Sequence, residues 1–389
     1  MKKLAVLFGI VAVVVVGYLA FTTTDGYSAA AAKAAPAAKA APTYSATVYV
    51  AGHGGHFAQA EVVIDGSNAA DPVKITKLDK IDIGDSKSHP THDARIDSND
   101  PNVLFWSTYI PDANKKMHVG KSDLKTGKVI QDVTLTPDAA RAPGEKPPLY
   151  CASGQSKNAY MPVFMGVEGY VDVFTKKDLK LEHRVFISDM GYAKGTYKFT
   201  HGTNSPDMKT FLFTMNVVKD GKTTGDVDFV LVDLPQLEKG KLKVITKNTL
   251  KGDPNNTITF RMFFTKDGKY ITQSAADRLW VLDAKTLKLV DEKMMPAGHQ
   301  LHDAMPTPDG KFALLTVRNV TEGCDVEGKG IKDEKGEAKT ITDGVFMLYD
   351  AGAKTVNARA TSTCFGCHKT MGKGDKNAVL CGLDANFKK

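Results

Sequence analysis

Between residues 45 and 356 the sequence repeats one phrase: a turn opens a β-branched or aromatic run, a second run ends in Asp, a Lys/Thr-containing turn follows, and a third run departs. The clearest copies are TPDGKFALLTVR (307–318) with GVFMLYDAGAKTV (344–356), and TKDGKYITQSA (265–275) with RLWVLDAKTLKLV (278–290). The same order recurs in 100–109 with 118–133, in 158–165 with 170–186, and in 206–215 with 228–245. A first unit, 47–52 with 60–65 and 72–84, completes six. No stretch holds a period near 3.6 over a dozen residues, so the body is read as strand throughout. A sandwich also contains many short strands, but it does not repeat one phrase six times at propeller-blade spacing. The expectation is an all-β chain, a β-propeller of about six to eight four-stranded blades over residues 44–358. A seventh blade would draw on both chain ends, or on residues 131–157 and 186–200.

The YVAG (49–52) and VVID (62–65) phrases, with PDGK (308–311) and LWVLD (279–283), resemble those of the YVTN and haem-d1-type propellers. The likeness runs from residue 45 to about 356 and concerns architecture. That family includes the propeller half of the cytochrome-type nitrite reductases, which pair a propeller with a haem c. This chain departs from them in having no complete cytochrome c domain.

Residues 359–389 form a short tail that carries Cys364-Phe365-Gly366-Cys367-His368. Haem c attachment needs two thiols to add across the porphyrin vinyl groups and a His next in sequence to bind the iron, and Cys364, Cys367 and His368 supply them in that order. A zinc site would need a second Cys or His pair nearby, which the tail lacks. Only a short tail follows His368, so the haem is expected to lie against the propeller, its sixth ligand a propeller His, Met161 or Met165. Electron transfer through one covalent haem c follows as the first functional expectation.

Lys2 and Lys3 precede an apolar run from Leu4 to Phe21, the order of an export signal. The run is longer than the roughly 7 to 15 residues of a cleaved signal and close to the roughly 20 that span a bilayer. Residues 1–28 therefore read as a signal peptide or an inner-membrane anchor through 4–21, and the Ala/Pro/Lys stretch 29–43 as a linker. Either way the expected location is the periplasm or another extracytoplasmic space. Cysteines at 151, 324 and 381 are left for a disulfide, with Cys381 the natural partner of Cys151 or Cys324, the alternative being three unpaired small core residues. A net charge of +7 without aromatic interleaving or a basic helix argues against nucleic-acid binding; the scattered charges read as a solvated surface, the alternative being a basic face that steers an acidic redox partner protein.

Seven further histidines follow the repeat. His92, His201 and His302 each stand shortly before the turn that opens a blade strand, and Arg261 holds the equivalent place in another blade. His53, His56, His89 and His299 lie near such starts. Equivalent positions in blades converge on the central channel, so these residues are candidate catalytic or metal-binding groups, holding copper or a second haem. In His content the chain loosely resembles nitrous oxide reductases, with a copper cluster at the channel, and nitrite reductases, with a second haem there. The competing reading is that each His bonds within its own blade. His118 and His183 are assigned to outer hairpins, Trp106 and Trp280 to blade packing, and 321–341 to a loop in the last blade. Three functions stay open: simple electron transfer, a reductase or dehydrogenase with a channel metal or second haem, and a redox-sensing protein-binding module.

Overall fold

Inner strands of this chain are buried on both faces, which a single solvated sheet cannot achieve and a ring of sheets can. In the computed structural model, which describes residues 42–52, 54–85, 87–137, 150–166, 168–322, 336, 340–362 and 380–388, the chain from residue 43 onward forms six four-stranded antiparallel sheets. Blade one holds β1 (Thr43–Gly52), β2 (His56–Asp65) and β3 (Val73–Asp82). Blade two is β4 (Thr91–Ile96), β5 (Val103–Thr108), β6 (Met117–Asp123) and β7 (Lys128–Leu135). Blade three is β8 (Tyr150–Gln155), β9 (Ala159–Phe164), β10 (Tyr170–Thr175) and β11 (Leu181–Phe186). Blade four is β12 (Tyr197–Asn204), β13 (Thr210–Lys219), β14 (Lys222–Asp233) and β15 (Val244–Lys251). Blade five is β16 (Met262–Phe264), β17 (Tyr270–Ser274), β18 (Arg278–Asp283) and β19 (Leu289–Met294). Blade six is β20 (His299–Pro306), β21 (Phe312–Glu322), β22 (Thr340–Asp350) and β23 (Thr355–Ser362).

The last strand, β24 (Leu380–Phe387), pairs with β1 and completes blade one in the order β24-β1-β2-β3. The propeller thus takes in residues that sequence reasoning set aside with the haem motif. The segments proposed for a seventh blade instead supply the ends and first strands of blades two to four, and the described residues hold no seventh sheet. First strands touch in the order β24, β4, β8, β12, β16, β20 and back to β24, so they line the channel.

The core is six interblade layers. Along β13, Phe211, Phe213 and Met215 pack with blade three while Leu212 packs with blade five. Along β21, Phe312 and Leu314 face blade one while Ala313, Leu315 and Val317 face blade five. Side chains of a strand alternate between faces, so a run with no polar interruption is what a sheet sandwiched between two others requires. Trp106 and Trp280 are fully buried in two of these layers, each ring nitrogen donating, to Ser122 Oγ at 3.0 Å and to Glu292 Oε1 at 2.9 Å. Gly120 makes room for Trp106, since a Cβ there would lie 2.1 Å from the indole.

The repeated turns have one mechanism. Ser205, Thr265 and Thr307 donate their hydroxyls to Asp207, Asp267 and Asp309 at 2.7, 2.7 and 3.0 Å, and the backbone N–H groups of Lys209, Lys269 and Lys311 donate to the same carboxylates. At the far end, Asp123, Asp283 and Asp350 accept from backbone N–H groups two and three residues on, closing the Lys/Thr turn. The inserted stretch of blade six lies between β21 and β22, which stay paired out to Glu322 and Thr340. Cys364, Cys367 and His368 lie outside the described residues, as do the apolar run 4–21, the linker up to residue 41, His53 and Cys324. Among the described residues no helix is long and apolar enough to cross a membrane.

Candidate metal centre in the channel

A regular strand sends alternate side chains to opposite faces, so neither face points along the axis of a propeller. Bulges change this. In β4 the register shifts between Thr91 and Asp93, in β8 between Tyr150 and Ala152, and in β20 between Leu301 and Asp303. The residues skipped are His92, Cys151 and His302. In β12 the shift falls between Lys198 and His201, and in β24 the skipped residue is Gly382. Five of the six first strands therefore carry an irregularity at the channel position, and an extra unpaired residue is the standard device for re-aiming a side chain.

These bulges gather His92, His302 and Cys151, whose ligand atoms all lie within 4.8 Å of one another. His201 joins them, its Nε2 2.9 Å from the Cys151 sulfur. All four are buried, at 2% exposure or less. Nδ1 of His201 is 2.8 Å from the Phe199 carbonyl, and Nδ1 of His302 is 2.9 Å from Asp303 Oδ2. A carbonyl and a carboxylate only accept, so both imidazoles carry the proton on Nδ1 and keep Nε2 as the lone-pair nitrogen. Phe199 adopts φ 56°, a left-handed conformation unusual for an aromatic residue, and its carbonyl also accepts from Thr259 Oγ1 at 2.8 Å. Tyr109 stacks on His92 with ring centroids 4.2 Å apart, and Phe260 covers His302 at 4.5 Å. Burial pushes the His201 imidazole down to about 3, against the pull of the Phe199 carbonyl, with His302, His92 and Arg261 adding to the effect.

Beside the imidazoles lies a buried charged network. Arg261 stands between Asp93 at 3.2 Å and Asp303 at 3.6 Å, and donates to the Ala94 carbonyl at 3.3 Å. Burial works against its charge, but Asp93, Asp303, Asp384 and the Cys151 sulfur outweigh that and raise its pKa. Asp303 also accepts from Thr316 Oγ1 at 2.6 Å and from the Leu383 N–H at 3.3 Å. Burial alone would raise its pKa, yet His302 and Arg261 hold it near 2. Tyr160 donates to Asp93 at 2.8 Å. Arg95 donates to the Ser153 carbonyl at 2.6 Å and faces Asp384 at 3.9 Å. Gly382 fits into this ring without a side chain: a Cβ there would lie 2.6 Å from the His92 carbonyl and 2.8 Å from Arg261 Nη1.

Of the sequence candidates, His92, His201, His302 and Arg261 come together here. The others do not. His56 is buried in β2, the third strand from the channel. His299 opens β20 at an exposed end, its Nδ1 3.1 Å from the Ala297 carbonyl. His89 sits outside the ring with His118. Each of these lies near a blade start in sequence, but none falls on a bulge of a first strand. Cys151 was missed as a channel residue because the sequence offers it as a disulfide partner or a small core residue, whereas it stands here as a buried thiol and not as half of a disulfide. Its signal was its place, shortly before the second strand of blade three, where the other blades have His92, His201, Arg261 and His302. Three imidazoles and one thiol are a donor set for a borderline or soft ion, with copper and zinc the best matches.

No protein-family model matches the chain, and no curated protein is similar to it. Solved structures similar to it include the periplasmic gluconolactonase PpgL of Pseudomonas aeruginosa, at 13% identity and TM-score 0.49, over 90% of this chain and 99% of that one. A Bacteroides caccae protein of unknown function is similar at 11% identity and TM-score 0.48, over 88% and 98% of the two chains. The Cps50 (Swd1) β-propeller domain of Myceliophteria thermophila is similar at 14% identity and TM-score 0.39, over 71% and 87%. The six four-stranded sheets of the described residues make a six-bladed β-propeller.

Proposed function

We propose that this chain is an extracytoplasmic redox protein: a monohaem c-type cytochrome on a propeller scaffold, whose channel holds one copper-class ion and gives it reductase or dehydrogenase chemistry. The observation that carries the channel reading is the convergence of His92, Cys151 and His302 within 4.8 Å on bulges of three separate blades. A blade-internal role for each residue would not require three blades to break their ladders at the same level. The second support is the Cys364-Phe365-Gly366-Cys367-His368 motif, with the export-type start at Lys2 and Lys3.

Copper, when bound, supplies a one-electron couple tuned by its thiolate and imidazole ligands. The chain's own residues do the rest. Phe199 and Asp303 hold His201 and His302 in the tautomer that offers Nε2. On ligation Cys151 would give up its proton, and the buried charge of Arg261 would favour the resulting thiolate. Tyr109 and Phe260 cover His92 and His302 and keep water from the ring nitrogens. A haem held by Cys364, Cys367 and His368 would supply a one-electron couple for exchange with partner proteins.

Metal analysis and an absorption spectrum of the native protein test both parts. The expected result is one iron in covalent haem c, about one copper, and a thiolate-to-copper band that C151S removes while the haem spectrum stays. Iron alone would reduce the reading to simple electron transfer. A mature chain without covalent porphyrin would overturn the cytochrome part.

A further inference from the structure

Outside the channel, on blade two, three other ligand-type side chains meet. His89 Nε2 lies 2.9 Å from Asp132 Oδ2, and His118 Nδ1 lies 3.1 Å from both Asp132 oxygens. The ligand atoms of the three fall within 4.8 Å of one another. We propose that His89, His118 and Asp132 form a second metal site, one that takes a divalent borderline ion such as zinc and leaves one coordination position open to solvent.

The argument rests on how the far side of each ring is held. His89 Nδ1 faces Ser88 Oγ at 2.9 Å, and His118 Nε2 faces Asp112 Oδ2 at 3.4 Å. Each imidazole therefore has an oxygen on its outer nitrogen and aims its other nitrogen at the shared carboxylate, which is the arrangement that orients histidine ligands around zinc. The rings are seated by their surroundings. Gly84 leaves space for His89, since a Cβ there would lie 2.2 Å from Nδ1, and Trp106 meets that ring edge-on at 5.8 Å. Asp85 fixes the preceding turn by accepting from the backbone of Lys87 and Ser88 at 2.7 and 2.8 Å. His118 is held from β5 by Thr108 Oγ1, which accepts its N–H at 2.9 Å.

A tetrahedral ion with bonds of about 2.0 to 2.2 Å needs its ligand atoms about 3.4 Å apart, so the nitrogen–carboxylate distances of 2.9 and 3.1 Å would open by a few tenths of an ångström to admit one. Two His and one carboxylate fill three positions, and a solvent-facing fourth is the pattern of open rather than structural zinc sites. The Asp132 side chain is 29% exposed against 10% for His118, so the open position lies on the carboxylate side. Nothing here contains sulfur, which separates this site chemically from the channel.

The test uses the full haem-bearing chain, stripped with a chelator and dialysed against zinc chloride alone. H89Q and D132N should each bind one equivalent less than the unaltered chain, in both the native and the C151S background. Cobalt(II) added to C151S should give a tetrahedral spectrum without a thiolate band, and D132N should remove it. Zinc uptake unchanged by both substitutions would overturn the proposal. So would a loss of thermal stability with unchanged uptake, which would mark the cluster as an ion-pair network only. Failure of the channel reading would show in C151S and leave these outcomes intact.

Discussion

The sulfur of Cys151 lies 2.9 Å from Nε2 of His201, and Nδ1 of His201 is already committed to the Phe199 carbonyl. In the metal-free chain the thiol is therefore the donor to that nitrogen. Replacing it with Ser preserves a donor, and the expected loss of stability is under about 1 kcal/mol. Cys151→Val has similar bulk and no donor, leaves a buried nitrogen facing carbon, and should cost about 1 to 3 kcal/mol. Denaturant unfolding of the metal-free variants measures both. Equal midpoints would mean the thiol–imidazole bond contributes nothing.

Arg261 is 1% exposed and faces two carboxylates that are fully buried. Arg261→Met strips the positive partner from Asp93 and Asp303 and should destabilise by about 3 to 5 kcal/mol. The exposed pair Lys269–Asp267, at 3.2 Å, is the contrast; Lys269→Ala should cost no more than about 1 kcal/mol. Similar losses for the two variants would refute the reading of Arg261 as the clamp of the network.

Gly382 has φ +72° and sits against the His92 backbone, whereas Gly127 has φ +68° and nothing within 4 Å of an added Cβ. Both Ala variants carry the left-handed penalty of about 1 kcal/mol, but Gly382→Ala must also move β4 or Arg261. The expected order of thermal midpoints is native, then Gly127→Ala, then Gly382→Ala. Only the last should weaken copper uptake in the channel.

The turn carboxylates Asp207, Asp267 and Asp309 all have pKa values below the ordinary 3.8. The hydroxyls of Ser205 and Thr265 lead at the first two; at Asp309 burial is the largest single influence and pushes the other way, and hydrogen bonds from Tyr44, the Lys311 backbone and Thr307 together outweigh it. A lowered folded value means the native state binds fewer protons, so the stabilisation is complete above the ordinary value and disappears as pH falls through the folded values. The triple variant D207N/D267N/D309N should be less stable than the native chain near neutrality, with the gap closing below about pH 4. A gap that stays constant with pH would break the link to these groups.

The propeller was legible because its turn chemistry repeats: Asp207, Asp267 and Asp309 recur with the hydroxyl two residues before each. The six visible units are the six blades. What escaped was the first strand of each blade. Segments such as 150–155 and 197–204 lie between the repeated phrases, and β16 is too short to show a period. The channel residues were half legible for the same reason. Sequence spacing placed His92, His201 and His302 at blade starts, but a bulge is a matter of register between two strands and leaves no periodic mark. It separates these three from His56, His89 and His299. His118 and Asp132 were invisible as a pair because they meet across β6 and β7, where neither stands near a blade start.

Blade one is built from both chain ends, with Ala46 opposite Phe387 and Gly52 opposite Leu380. Long-range pairing of this kind forms late, since the loop it closes is almost the whole chain. Synthesis delivers the cysteines of the Cys-Phe-Gly-Cys-His motif before the strand that shuts the ring, and Gly382, which meets His92 and Arg261, arrives last of all the channel residues. Connectivity therefore sets an order for closure: the cluster of His92, Cys151, His201, His302 and Arg261 is sealed only when the last strand has threaded home beside the first.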